Sequence, residues 1–516
     1  MSLDALMASS AILERRIDSL VEDAGDDPWT QSQADWAWFR FASANALVRD
    51  QGGGPLAASL ARGLLEEAAY WDWALATGVG SNWVARRAAA EYQRLAEVAR
   101  TAKDEVWLGW VLPPGSRLVT VSSEGIPAHA GDAVKRIGNG LNSPVLAPLM
   151  FRGLFATNTL LDILTHGNFA AAQVMAPGGG EELSEPLAAA VVHVASAGAA
   201  AVTLALTDPN AAVASSITDA ALQVAACASA IHHLSLGAPL TVRRPSKPGS
   251  GSVLDIASDI RRMHAGSAVD TGPVRVFLER ALDAAVLAGD RLRGSDAIAT
   301  VIWSSFRMSV GQMRVLEGVL DGTLARALLP LASRALFEDG ARWGWVRNQA
   351  LKNPSGGSLR GIVSDAKQHV IRTRDRLFSE AIPPNVVHDL LGPALDLAEA
   401  NPGDHPLPAV GDLLADAYSR AGSPADWAVP MYSVLSQFVH ATPIAALHLQ
   451  RDTFTSITAP TFAIAVEAAC RGFLSIAAAL FPICCDFDEE LRSAVEALFT
   501  SLAPVTFATT RWHMIG

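Results

Sequence analysis

Apolar residues recur along this chain at intervals of three and four, the period of one helical face, and no long Val/Ile/Thr alternation of the kind a strand needs interrupts them. The first such face carries Ile12, Leu13, Ile17 and Val21, and its order of residue types returns much later. Ile12, Glu14, Arg15 and Asp18 are echoed by Phe277, Glu279, Arg280 and Asp283, and each stretch runs on to Ala-Gly-Asp. A second pattern follows in both places: Trp36, Phe39 and Arg40, then Trp303, Phe306 and Arg307, with i, i+3 spacing that sets both rings on one face. The pattern predicts two series of helices, one repeating the other.

The echo continues through Arg-x-Leu-x-Glu, at Arg62 to Glu66 and Arg334 to Glu338, with Trp71 and Trp343 at corresponding places after it. Helical patterns over 88–103 and 359–376 lead toward the paired prolines Pro113-Pro114 and Pro383-Pro384, where helix propagation stops. Segments 157–172 and 430–447 each carry one histidine. Apolar helices opened by Pro186 and Pro460 come next, as suits proline in a first turn, and patterns over 217–234 and 489–502 close the two series. The expected fold is therefore all-α: two tandemly duplicated helical bundles related by pseudo-two-fold symmetry, over 1–237 and 274–516. Between them, 238–273 reads as a Pro/Gly/Ser-rich linker with a short helix at 254–263.

Composition agrees with this. Among 516 residues 50% are hydrophobic and 18% charged, enough apolar surface to give each bundle its own core. The net charge of −12 and pI near 5.5 disfavour nucleic acid and anionic membranes as partners. The one dense cationic run, Arg243, Arg244 and Lys247, sits among Pro and Gly and reads as solvated linker. Four cysteines without zinc-ligand spacing, and no basic-then-apolar leader, place the expected location in the cytoplasm. The uncharged run 187–206 has the length of a membrane span, but its counterpart after Pro460 carries Glu467 and Arg471, which suits a buried helix of a soluble bundle. No membrane association is expected.

Candidate chemistry gathers on the histidine segments. Tyr432, Ser436 and His440 stand at i, i+4, i+8, a single helical stripe, and align with Asn158, Asp162 and His166 in the first series. Arg-x-Leu-x-Glu followed by Tyr-x-x-Leu-Ser-x-x-x-His resembles the signature of a group of uncharacterised bacterial helical proteins, some of them similar to HEPN-type bundles. That resemblance implies a helical-bundle fold and a role in defence or regulation. It implies no ribonuclease activity, because that activity's Arg followed four to six residues later by His is absent: Arg262 and His264, like Arg511 and His513, are too close.

Two functional expectations follow from the residues. In one, Arg62, Asn158, Trp71, Arg334, Glu338, Tyr432, Ser436 and His440 form a buried polar network in a module that binds a small apolar ligand or a protein. In the other, Asp162, His166 and Glu66 form an acid/base site in an apolar cavity of an enzyme, with an isoprenoid-like molecule among the substrates considered. Asp255/Asp259 and Asp412/Asp416 pair carboxylates on a helix face, yet no Asp-Asp-x-x-Asp accompanies them. The Glu-x-x-His spacing of di-iron bundles is missing too, and no metal ligands or particular cofactor are assigned. Divergence between the series, Asn158 and Asp162 against Tyr432 and Ser436, makes the first the expected seat of the wetter site, since a carboxylate is costly to bury unpaired.

Overall fold

A computed structural model describes residues 2–22, 28–50, 53–77, 82–101, 127, 148–165, 171, 182–207, 210–234, 270–292, 297–352, 357–379, 382–400, 407–419, 427–440, 442–447 and 457–515. Every regular element among them is helical. An isolated β-bridge joins Leu292 and Cys485. The fold is all-α. Residues 238–269 of the linker with the short helix at 254–263, Pro113-Pro114, His166 and Asp255/Asp259 lie outside the described residues, and α8 begins at Gly272, inside the predicted linker.

The helices of the first part are α1 (Leu3–Glu22), α2 (Pro28–Arg49), α3 (Gly54–Thr77), α4 (Asn82–Thr101), α5 (Pro148–Thr165), α6 (Glu185–Leu206) and α7 (Ala211–His232). Beyond the linker come α8 (Gly272–Asp290), α9 (Ala297–Asp321), α10 (Leu329–Lys352), α11 (Gly357–Ser379) and α12 (Pro384–Ala400). The series closes with α13 (Val410–Ser419), α14 (Ala428–Val439), α15 (Pro443–Leu447), α16 (Ala459–Cys484) and α17 (Glu489–Ile515). Local chemistry sets several of these ends. Pro186 and Pro460 lie in the first turns of α6 and α16, where the missing N–H costs nothing, and Thr458 caps α16 by accepting from the Thr461 amide. Pro384 opens α12. Asp488 accepts the Leu491 amide at the start of α17, and His233 ends α7 in the left-handed region at φ 57°.

Both parts are built around an apolar helix. α6 packs on α1, α2, α3 and α7, and α16 packs on α8, α9, α10 and α17. All residues of α6 from Leu187 to Leu206 are buried, among them small side chains that let its neighbours close in. Gly198 marks the tightest approach: a Cβ there would lie 2.8 Å from the Leu64 Cβ on α3. On α16 the matching approach is at Gly472, whose added Cβ would press within 2.6 Å of the Leu336 carbonyl carbon on α10. In each case glycine meets the leucine of Arg-x-Leu-x-Glu. The close crossing brings that motif's polar residues onto the opposite side of α3 and α10, toward α5 and α14.

Among the described residues three helices, α6, α7 and α16, are long and apolar enough to cross a membrane by length and composition. In this fold α6 is enclosed from Leu187 to Leu206. Within α16, Glu467 pairs with Arg471 at 2.7 Å and accepts from Thr509 of α17, while Arg471 lies 4.6 Å over the Trp427 ring.

The glycine crossings generate a prediction. Gly472→Ala should destabilise the protein by about 1–3 kcal/mol through overpacking against backbone that has little room to move. Gly411→Ala, where an added Cβ meets nothing within 4 Å, should be neutral or stabilising by about 0.4–1 kcal/mol. Urea denaturation of the two variants measures the contrast. Equal midpoints would show that the crossing is not tight.

Candidate functional site

On α3, Arg62 and Glu66 are one turn apart, and they pair at 2.9 Å. Their order, Arg before Glu, is the weaker one for an exposed helix pair, so the contact needs support from outside the helix. It comes from α5: the second guanidinium nitrogen of Arg62 lies 2.9 Å from Asp162 Oδ1. Asn158, one turn before Asp162, is half-buried, and Trp71 belongs to the core, edge-on to Trp83 with centroids 5.2 Å apart. Trp73 and Trp343 are also core residues.

On α10 the same motif is buried further. Arg334 meets Glu338 at 3.2 Å, and its guanidinium donates to the Tyr432 hydroxyl at 2.7 Å and to Ser436 Oγ at 3.4 Å. Tyr432 in turn donates to Glu338 at 3.2 Å. The other Glu338 oxygen is taken by Arg342, which also holds Asp339 at 2.9 Å. Arg334 and Glu338 are nearly inaccessible to solvent, at 2% and 1% side-chain exposure, so each charge depends on its partners. Burial works against the Arg334 cation, but Tyr432 and Glu338, with a smaller contribution from Asp162, outweigh it and hold the guanidinium above its ordinary value. Burial likewise raises the Tyr432 phenol, which stays protonated and able to donate.

The two clusters meet. His440 Nδ1 lies 3.4 Å from Glu66 Oε2, a contact between residues 374 positions apart in the chain. Asp162 is felt at Arg334, and Arg62 and Arg334 are both felt at His440. Three guanidiniums (Arg62, Arg334, Arg342) thus face four carboxylates (Glu66, Asp162, Glu338, Asp339) across a seam formed by α3, α5, α10 and α14. Asp162 and His440 lie at its rim, with side chains 31% and 35% exposed.

One element departs from expectation. Tyr432 and Ser436 do share a helical stripe, but His440 does not continue it: α14 ends at Val439, and His440 is its cap, with extended backbone at φ −87°, ψ 154°. Its N–H still closes on the Ser436 carbonyl, and the chain turns away before Pro443 opens α15. Leaving the helix is what lets the imidazole reach α3. The surrounding protein strips water from the ring, and although Glu66 favours the cation, Arg62 and Arg334 oppose it. The imidazole is held below its ordinary value, neutral at pH 7. A carboxylate only accepts, so neutral His440 carries its proton on Nδ1 and presents the Nε2 lone pair outward.

Sequence reasoning missed two buried polar pairs. Arg40 on α2 and Glu67 on α3 pair at 2.8 Å with almost no exposure, and Arg40 stacks 4.7 Å from the Trp36 ring. The signal was available: Arg40 follows Trp36 by one helical turn on an apolar face. The other pair is His193 of α6 with His232 of α7, rings stacked and 3.0 Å from Nδ1 to Nε2. His232 Nδ1 accepts the Leu234 amide at 2.7 Å, so its proton sits on Nε2 and is donated to His193. Burial, reinforced by His193, pushes the His232 imidazole down to about 3.

Among the described residues, no group of three or more His, Cys, Asp or Glu side chains is arranged to hold a metal ion. All four cysteines are buried and reduced. A cleft of about 540 Å³ lies away from the seam, between α8 and α9. Comparison of the chain with protein-family models, curated proteins and solved structures finds no match.

Two predictions follow from this geometry. Glu338→Gln leaves Arg334 and Arg342 without a full counter-charge and should cost about 3–5 kcal/mol, whereas Ser436→Ala removes the long bond from Arg334 and the hydroxyl's 2.8 Å bond to the Tyr432 carbonyl, neither from a charge left unpaired, and should cost about 1 kcal/mol. Chemical denaturation separates them, and similar losses would mean that the network is not carried by its charges. The second concerns pH. A histidine whose folded value is depressed contributes stability that is fully present above its unfolded value, near 6.5, and is lost as pH falls toward the folded value, about 3 for His232. His232→Asn, which keeps an acceptor near the Leu234 amide, should therefore flatten the fall in melting temperature below about pH 6.5. Parallel curves for variant and wild type would show that the pair is not the titrating element.

Proposed function

We propose that the chain is a binding module: two copies of one helical bundle, related by a pseudo-two-fold axis, that share a charged seam and hold a small apolar ligand or a protein partner. The observation that carries this reading is that the side chains with chemical potential are engaged with one another. Arg62 is occupied by Glu66 and Asp162, Arg334 by Glu338, Tyr432 and Ser436, and His440 by Glu66. Such a network fixes helix register and the fit of one bundle on the other.

The duplication is supported by the way contacts recur. Gly198 follows Pro186 by twelve residues, as Gly472 follows Pro460, and each glycine packs on the leucine of an Arg-x-Leu-x-Glu motif. The contacts between the parts are reciprocal: α4 packs on α14 while α11 packs on α5, and α3 meets its counterpart α10. Reciprocity of this kind is the mark of an isologous interface, as in a homodimer whose subunits have been joined. Domains over 1–237 and 274–516, and a cytoplasmic setting consistent with four cysteines outside any disulfide, belong to the same proposal.

A second reading, an enzyme, is favoured by one feature. His440 is held at Nδ1 by Glu66, and no partner for Nε2 occurs among the described residues, which is the orientation a general base requires. In that reading Asp162 and Glu66 orient and His440 acts, with His166 of the first series outside the described residues.

A double-mutant cycle with Glu66→Gln and His440→Gln, joined to native mass spectrometry of the full chain, tests the binding-module reading. Each single change should cost about 1–3 kcal/mol, with about 1 kcal/mol of coupling between them. Any co-purifying small molecule should stay bound. Loss of that molecule in His440→Gln with unchanged melting would overturn the framework role and favour the enzyme.

A further inference from the structure

The partners of the two motif glutamates differ between the bundles, and the difference traces to three aligned positions. With Arg62 on Arg334 and Glu66 on Glu338, Tyr70 falls on Arg342, and on the histidine segments Asn158 falls on Tyr432 and Asp162 on Ser436. In the second bundle these positions serve Glu338 from within: Arg342 holds one carboxylate oxygen, and Arg334 and the Tyr432 hydroxyl hold the other, each at 3.2 Å. In the first bundle Tyr70 turns into the core, stacked on Trp83 with centroids 5.4 Å apart, and its hydroxyl donates to the Pro127 carbonyl at 3.3 Å. Glu66 therefore keeps an oxygen for His440, which comes from the second bundle.

Asp162 adds a carboxylate at a position where the second bundle carries the uncharged Ser436. It pairs with Arg62 at 2.9 Å, and its field also reaches across the seam. Burial opposes the Arg334 cation, Tyr432 and Glu338 support it, and Asp162 adds to that support from the other bundle. What the first bundle holds in surplus is thus answered by His440 and Arg334 of the second.

Charge balance explains why like bundles do not fit in this way. As folded, three guanidiniums (Arg62, Arg334, Arg342) face four carboxylates (Glu66, Asp162, Glu338, Asp339), an excess of one negative charge. Glu67, aligned with Asp339, brings its own cation, Arg40, at 2.8 Å and leaves the balance unchanged. Two first bundles face to face would set two copies of Arg62 against two copies each of Glu66 and Asp162, an excess of two. Two second bundles would be balanced, but there His440 would approach Glu338, whose oxygens Arg342, Arg334 and Tyr432 already hold. Exchange of partners between two chains therefore gathers into one seam an excess otherwise spread over two. Like charge brought together out of water costs more than the same charge kept apart.

We infer that the seam is an interface for unlike partners: the α3–α5 face of the first bundle fits the α10–α14 face of the second and rejects another copy of itself, with Asp162 as the residue that sets the choice. This inference rests on the reading of the chain as two copies of one bundle and names the partner that each copy takes.

A protease site placed within 238–269 of the full chain, cut after folding, frees the halves from their covalent link while both stay present. The cut protein is unfolded in urea, refolded by dilution and weighed by native mass spectrometry, in which the two halves differ in mass. Unlike pairs are expected, with like pairs at about a tenth of the total or less. Asp162→Asn, a change on a half-buried side chain at the rim, should raise pairs of first halves about fivefold. Random pairing in wild type, or like pairs that ignore Asp162→Asn, would overturn the inference. Circular dichroism of the cut protein separates this from failure of the two-bundle reading. Halves that do not regain their helices would overturn that reading, whereas halves that refold and stay single would overturn the seam as an interface.

Discussion

Removing a guanidinium from water costs several kcal/mol, and in this protein that cost determines where the helices go. Arg334 is almost fully enclosed, and its charge persists because Glu338, Tyr432 and Ser436 close around it from two helices. None of these partners can drift by an ångström without leaving a buried charge unmet. The seam therefore acts as a register device, in which α10 and α14 have one low-energy alignment and slipped alternatives are penalised. The same argument holds for Arg62 between α3 and α5, with Asp162 completing what Glu66 begins.

The apolar packing and the polar seam are two sides of one helix. Because Gly198 and Gly472 admit the backbones of α3 and α10 to close approach, the opposite faces of those helices are aimed into the seam. Motif arginine and glutamate are separated by one turn and motif leucine lies between them, about 160–200° away from their shared stripe by helical geometry. Three residue types in five positions thus specify both a helix crossing and a charge network.

Much of this was legible in the sequence, for physical reasons. Helical periodicity is local, so most of the helices show in the apolar spacing, although 384–400 gave no such signal and 430–447 reads as one segment where the chain forms α14 and α15; Pro186 and Pro460 mark first turns because proline is favoured there. That Arg334 would find Tyr432 and Ser436 was readable as complementary polar side chains on apolar helices. What was not readable is which partners meet across the chain. His440 appeared as the third member of a helical stripe, but its extended backbone releases it from α14, and the contact with Glu66 joins residues 374 positions apart. Periodicity carries no information about such a pairing. Arg40 and Glu67, likewise, are separated by a turn containing Gly53 at φ 71°, and only the packing of α2 on α3 brings them together.

The seam and the α8–α9 cleft differ in how tightly their side chains are constrained. At the seam every change is constrained twice, because Glu66 answers to Arg62 within its own bundle and to His440 of the other. A substitution there disturbs stability before it can alter recognition. The cleft is held less tightly: Arg314 at its rim is exposed, and Trp303 is only partly covered where Trp36 is fully buried. The polar seam, more than the cleft, therefore sets how α3 and α5 sit on α10 and α14.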